Sequence, residues 1–188
     1  MAVDREIRLA GAQFGGLILA TLALDGILHG LQLAAWGRWL GGVGLGLIVL
    51  SFAYSLRRRK WITLGKPVQH LRFHEGAAWL GSLLVLVHGG VHFNAILPWA
   101  AIAAMLVANA SGLTGKVLLA RATQALKDQR EAMMGEGQPL DEIEQALLAQ
   151  ARRVDLMKQW RRLHFPITLS FAFLTLVHLG AIFRYLEW

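Results

Sequence analysis

Long apolar stretches dominate this chain, at about 10–34, 39–56, 73–94, 96–119 and 164–186. Each approaches the ~20 residues that an α-helix needs to cross a hydrocarbon core. The pattern predicts an all-α protein: an integral membrane bundle of five transmembrane helices forming one domain over 1–188. The second stretch is the shortest, and its glycines (Gly41, Gly42, Gly44, Gly46) suit close helix packing. They lack dinucleotide-loop spacing and follow no predicted strand. The first stretch is too long, and too lightly basic at its start, for a cleaved signal peptide, so it is expected to be retained.

The polar segment 120–163 breaks the apolar pattern. Gly135, Glu136, Gly137, Gln138 and Pro139 divide it into two helical arms, which predicts a helical hairpin outside the membrane. Asp141 and Glu144 have the spacing of a capping box for the second arm. Ile143, Leu147, Val154 and Met157 form a loose apolar stripe along it. Arg152, Arg153, Arg161 and Arg162 are placed to meet lipid headgroups.

Charge then orients the bundle. The chain has 188 residues, is 55% apolar and carries a net charge of +7. Its mean hydropathy is +0.46. In a soluble protein such basicity suggests nucleic acid, but here apolar runs separate the cations, so no nucleic-acid partner is expected. With the N-terminus cytoplasmic, 17 of the 19 Lys and Arg fall on that side, leaving only Arg38 and Arg184 outside. Positive charge concentrates on cytoplasmic loops, so the expectation is a multi-pass protein of a bacterial-type inner membrane. Its C-terminus would be periplasmic and its hairpin cytoplasmic. The third and fifth helices then run in parallel.

Chemistry enters with the histidines. His74 and His88 are fourteen positions apart, and so are His164 and His178. Fourteen helical residues advance about 1400° and ~21 Å, so both members of a pair share one face. Two parallel helices bearing such pairs offer two stacked sites, each with one imidazole from either side. That arrangement suits two bis-histidine haems, and ionisable side chains inside membrane helices point to function in any case. The chain has no Cys, which excludes covalently attached c-type haem, thiolate-held clusters and disulfides. The expected cofactors are therefore two non-covalent haem b groups.

On these residues the chain resembles the dihaem cytochrome b superfamily, and in particular the four-helix core of cytochrome b in quinol-oxidising bc-type complexes. There, two parallel helices separated by one helix each carry a His-x13-His pair. The resemblance covers about 37–188, with the first helix as an addition and the hairpin as an enlarged loop. It implies that His74 pairs with His164 around a cytoplasmic-side haem, and His88 with His178 around an outer one. The chain lacks the later helices and the Pro-Glu-Trp-Tyr quinol-site motif, so bifurcating quinol chemistry is not implied.

Other registers compete. His70 with His88, and His74 with His92, are each eighteen residues apart and also share a face. Only the His74–His88 spacing equals that on the fifth helix. His70 is expected in the basic loop, and Arg72, Lys66 and Arg162 as propionate partners through charge-assisted hydrogen bonds. Asp25 and His29, four apart, with His92 and Asn94 suggest an outer polar pocket for a quinone or for protons, or a packing pair tying the first helix to the bundle. A His29–His92 couple would make a third haem. Glu75 is placed either for proton uptake at a cytoplasmic-side quinone site or at the headgroup boundary. Phe73, Phe93, Phe165 and Phe171 suit porphyrin contact or the core equally, and the seven Trp fall mostly near helix ends, as an interface belt requires.

The expected function is that of a dihaem b-type subunit in a respiratory electron-transport chain. It carries electrons across the bilayer between a quinone or quinol and a redox partner, a periplasmic cytochrome c or a catalytic oxidoreductase subunit. Bis-histidine ligation leaves iron no open position, so direct oxygen chemistry is not expected. The alternatives are a stand-alone transmembrane reductase of the ascorbate or ferric type, and a haem-free scaffold or transporter.

Overall fold

The computed structural model describes residues 2–61, 63, 65–90 and 95–185, and among these it is helical with no strand. Seven helices follow in order: α1 (Ala2–Gly30), α2 (Gly37–Ser51), α3 (Ala53–Arg58), α4 (Pro67–Gly89), α5 (Ile96–Gly135), α6 (Leu140–Lys158) and α7 (Trp160–Tyr185). Four stretches are long and apolar enough to cross a membrane: Ile7–Gly30, Ala34–Arg58, Ile96–Gly135 and Leu163–Tyr185. Only 6% of the α1 and α7 windows is buried within the protein. Leu19, Leu22, Leu169, Phe173 and Leu176 all point outward. Apolar faces of that extent are stable against lipid, while the helices satisfy their own backbone groups.

Helix ends differ from the expected ones for local reasons. α1 stops at Gly30 rather than near residue 34, because Gln32 takes a left-handed φ of 57° and a 3₁₀ turn, Ala34–Trp36, follows. α2 and α3 are interrupted only at Phe52 and form one apolar rod. α4 begins six residues before the expected start, since Pro67 supplies a preset φ at its first turn. His70 therefore lies within α4, not in the preceding loop. α4 is 23 residues long, enough to span a bilayer. With His70, Arg72, His74 and Glu75 in its first half, it is not among the four apolar helices.

α5 is a single helix of 40 residues, about 60 Å at 1.5 Å per residue. The expected break near residue 120 is absent: the fourth membrane helix runs straight on to become the first arm of the hairpin. α6 folds back against it and buries Ile143, Leu147 and Val154, the stripe expected from sequence, with the Met157 side chain outside the described set. Asp141 is not the cap of α6. Ile143 N–H donates to Pro139 O at 3.1 Å, which places the helix entry at the proline, and Asp141 and Glu142 sit in the first turn, where the helix dipole favours acids.

Cross-helix contacts establish direction. Gly37 meets His88 and Ser51 meets His74, so α2 and α4 are antiparallel. Asn109 Nδ2 donates to Ser82 Oγ at 2.9 Å, and Lys116 pairs with Glu75, so α5 is antiparallel to α4. Gly112 lies beside His164, while Leu97 and Pro98 share a groove with His178, so α7 is antiparallel to α5. α4 and α7 consequently run the same way. α1 joins the outside of α4 and α5, where Trp79 Nε1 donates to Gln13 O at 2.9 Å. The core gathers Leu17, Ile48, Leu83, Leu86, Val87, Ile102, Met105 and Phe171 from five helices.

Where α2 crosses α4, two glycines meet backbone to backbone. A Cβ on Gly44 would lie 2.7 Å from Gly81 O, and one on Gly81 would lie 2.7 Å from Gly44 O. Gly46, in the same run, faces open space. Gly81→Leu should therefore destabilise the bundle by ~1–3 kcal/mol through overpacking. Gly46→Ala should be neutral or stabilise by up to ~1 kcal/mol, because alanine is the better helix former. Equilibrium unfolding in mixed micelles titrated with dodecyl sulfate measures both, and equal effects would refute this assignment of the packing glycine.

Candidate functional site: two imidazole couples

His74 and His88 of α4 are each anchored to α2. His74 Nδ1 donates to Ser51 O at 3.1 Å, and His88 Nδ1 donates to Gly37 O at 3.1 Å. A carbonyl cannot donate, so both rings carry a proton on Nδ1; in the neutral imidazole the lone pair is then on Nε2. Tyr54 stacks on His74 with ring centroids 5.7 Å apart. Gly41 backs His88 so closely that a Cβ there would lie 2.6 Å from the ring. Glycine at 41 is thus required by the imidazole, not by helix–helix contact.

The α7 histidines stand opposite. His164 and His74 are close enough for their charges to interact, and so are His178 and His88. The resemblance implies these same two couples. α4 and α7 nevertheless make no extensive contact with each other; α4 packs on α2, α1 and α5, and α7 on α5. His164 Nδ1 is buried and has no hydrogen-bond partner among the described residues. Its Nε2 lies 3.5 Å from Thr168 Oγ1, whose hydroxyl donates to His164 O at 2.9 Å. His178 borders an open groove of about 340 Å³ whose other walls are Ala95, Leu97, Pro98, Ala181, Ile182 and Tyr185.

These four histidines are donors of the kind that could hold a haem at each depth. Metal-bound histidines characteristically donate their second ring N–H to a carbonyl or carboxylate, as His74 and His88 do. An orphaned imidazole nitrogen and an apolar groove supply complementary surroundings on α7. Among the described residues no group of three or more His, Asp or Glu gathers to enclose a bare ion. Paired imidazoles suffice for haem, because porphyrin brings its own four nitrogens.

The remaining expected residues divide. His29 Nδ1 donates to Asp25 O at 2.9 Å and lies 3.5 Å from its carboxylate, so these two share a face as expected. His92, Asn94 and Phe93 lie outside the described residues, and with them the outer pocket, the alternative outer ligand and the third couple. Glu75 is ion-paired with Lys116 at 2.9 Å, a partner forty-one residues away in sequence that no local pattern reveals. Arg72 is exposed and leaves α4 two residues before His74, about 200° around the helix, so it sits on the far face from that imidazole. Lys66 caps α4, its N–H bonded to Gln69 Oε1, and the Arg162 side chain is outside the described set. Phe171 is core, while Phe73 and Phe165 are about half exposed.

One cation that sequence reasoning passed over lies against α7. Arg59 lies 5.9 Å from the ring centroid of Phe165, the neighbour of His164. Arg57 instead closes the loop by donating to Gly65 O from Nε and Nη2. Nothing in a run of three arginines distinguishes the loop staple from the one that meets Phe165. Lys116 and Gln13 also line a small cavity of about 80 Å³ with Leu9, Ala10 and Val117, next to the ion pair.

Gly41→Ala is expected to expel the His88 ring from its seat and break the bond to Gly37 O. Nitrogen NMR of histidine-labelled protein should then show loss of the Nδ1–H form at His88 with His74 unchanged. Unaltered His88 signals would contradict the geometry. No family model matches this chain, nor does any curated protein or solved structure.

Proposed function

We propose that this chain is a dihaem b-type electron carrier of the membrane, passing electrons across the bilayer between a quinone or quinol and a redox partner protein. The observation that carries the reading is the pair of imidazole couples on α4 and α7, each with its α4 ring held through Nδ1 by α2. The two depths are ~21 Å apart along the helices, most of the ~30 Å hydrocarbon thickness. Such a separation has a use if charge is to cross the membrane, and none if the histidines merely pack. This reading makes α4 a fifth crossing, with its polar ligand face turned inward.

Bound between each couple, haem would supply a one-electron ferric–ferrous centre near each membrane surface. The chain's own residues do the rest. Leu83, Leu86, Val87, Met105 and Phe171 fill the layer between the two depths with dry, low-dielectric packing. Ser82 and Asn109 satisfy each other there, so no unpaired polar group is added by that contact. Glu75, steadied by Lys116, is the acid placed for proton exchange with a quinone at the inner end. Asp25 with His29 is the corresponding pair on α1 at the other end. Arg59 is the cation positioned for a carboxylate beside His164.

Orientation follows from charge. Arg57, Arg58, Arg59, Lys60 and Lys66, the start of α1 and the α5–α6 hairpin all lie at the His74–His164 end. By the positive-inside bias that end is cytoplasmic, the setting being a bacterial-type inner membrane. The partner at the opposite face would be a periplasmic cytochrome c or a catalytic oxidoreductase subunit.

The purified chain should carry two haem b per polypeptide, both low-spin. His74→Ala and His164→Ala should abolish the low-spin signal of one haem, and His88→Ala and His178→Ala that of the other. A haem-free chain would exclude this function in favour of a scaffold or transporter. Stoichiometric binding of a quinone analogue should perturb the haem spectrum; reduction by ascorbate with no response to quinol would instead indicate a stand-alone reductase.

A further inference from the structure

The two imidazoles of each couple are held unequally. On α4, both rings donate Nδ1–H to backbone carbonyls of a single helix, α2. On α7, no carbonyl accepts from either ring among the described residues, and His164 Nδ1 is buried without a partner. The α2 acceptors have a regular spacing. Gly37 faces His88, Gly44 faces Gly81, and Ser51 faces His74. The contact advances by seven residues on α2 and retreats by seven on α4. Seven residues make about 700°, within ~20° of two full turns, so all three contacts lie on one seam of an antiparallel pair.

We infer that α2 is a positioning helix. Its glycine contact at Gly44 and Gly81 sets the register, and the Gly37 and Ser51 carbonyls then orient both α4 imidazoles for ligation before any cofactor is bound. His74 and His88 are the preorganised ligands of the two sites; His164 and His178 are the adaptable ones, closing on the opposite side. This inference rests on the haem reading above and adds to it an internal asymmetry that spacing alone does not contain.

The physical reason is orientation entropy and ring basicity. An imidazole already locked in one tautomer and one rotamer gives up less freedom when it binds. A carbonyl accepting from Nδ1–H also raises the electron density that Nε2 offers to iron. Loss of such an outer hydrogen bond typically weakens metal binding ~10–100-fold. Gly44 and Gly81 matter because a side chain at either would separate the backbones and lengthen both anchoring bonds together. Gly37 and Ser51 act only through main-chain oxygen, so their role resists side-chain scanning and has to be tested through the register.

The experiment uses the full-length chain, prepared without haem in detergent and titrated with haem. With the outer site read separately by spectrum, His164→Ala should retain an inner haem as a high-spin, five-coordinate species on His74. His74→Ala should bind that haem ~10–100-fold more weakly. The same contrast is expected between His178→Ala and His88→Ala at the outer site. Free imidazole should restore the low-spin spectrum of His164→Ala and His178→Ala, and fail to do so in the α4 variants.

Because His74→Ala also removes a bond to α2, Gly44→Val provides a variant that keeps all four histidines. It should weaken both sites together while helical circular dichroism stays at the wild-type level. Equal affinities in the two members of a couple, imidazole rescue on both helices, or a Gly44→Val chain binding both haems normally would each overturn the inference. A wild-type chain that takes up no haem would instead remove the haem reading on which it stands.

Discussion

The backbone contact between α2 and α4 is the constraint on which the site depends. Two helices can approach this closely only where neither carries a Cβ at the crossing, and here Gly44 and Gly81 meet carbonyl to would-be side chain. In lipid there is little hydrophobic drive to bring helices together, so close packing and interhelical hydrogen bonds supply the attraction. The α2–α4 pair has both: glycine in the middle and a histidine–carbonyl bond at each end. Packing and chemistry are therefore one arrangement. The same register that holds the helices together orients the rings.

Around that pair the bundle is layered by polarity along the membrane normal. The middle is apolar, with the Ser82–Asn109 bond as a self-contained polar link between α4 and α5. Titratable groups are displaced towards the two ends: Glu75 with Lys116 near the inner couple, Asp25 with His29 at the far end of α1. Ionisable groups inside a bilayer are costly unless paired, and these are paired. The glycine-rich helix, the polar start of α4 and the charge asymmetry of the chain are consistent with one design, in which oriented imidazoles occupy two depths of an insulated layer.

The α5–α6 hairpin is built differently. α5 continues out of the apolar region without a break, and α6 packs on it through Ile143, Leu147 and Val154. A continuous helix transmits position rigidly, so the hairpin is mechanically joined to the helix that lies between the two histidine-bearing ones. α7 follows α6 after a single residue, Gln159, which leaves little slack between the hairpin and His164.

Composition and periodicity by themselves determined much of this protein: its helical class, most of its membrane helices, the stripe that docks α6, and the equal spacing of two histidine pairs. Those features are legible because they depend on residue type and on helical repeat, both local properties of the chain. What only the tertiary structure decided are matters of register and reach. The seats for His74 and His88 are main-chain oxygens of Ser51 and Gly37, which no side-chain pattern encodes. Which glycines pack, which one makes room for a ring, and which arginine of three turns towards Phe165 follow from the rotation of one helix against another. Helix ends at Pro67 and Gly30, and the unbroken length of α5, were set by backbone dihedrals and by tertiary support outweighing composition. Spacing fixes a face along one helix; it takes the neighbouring helix to say what that face meets.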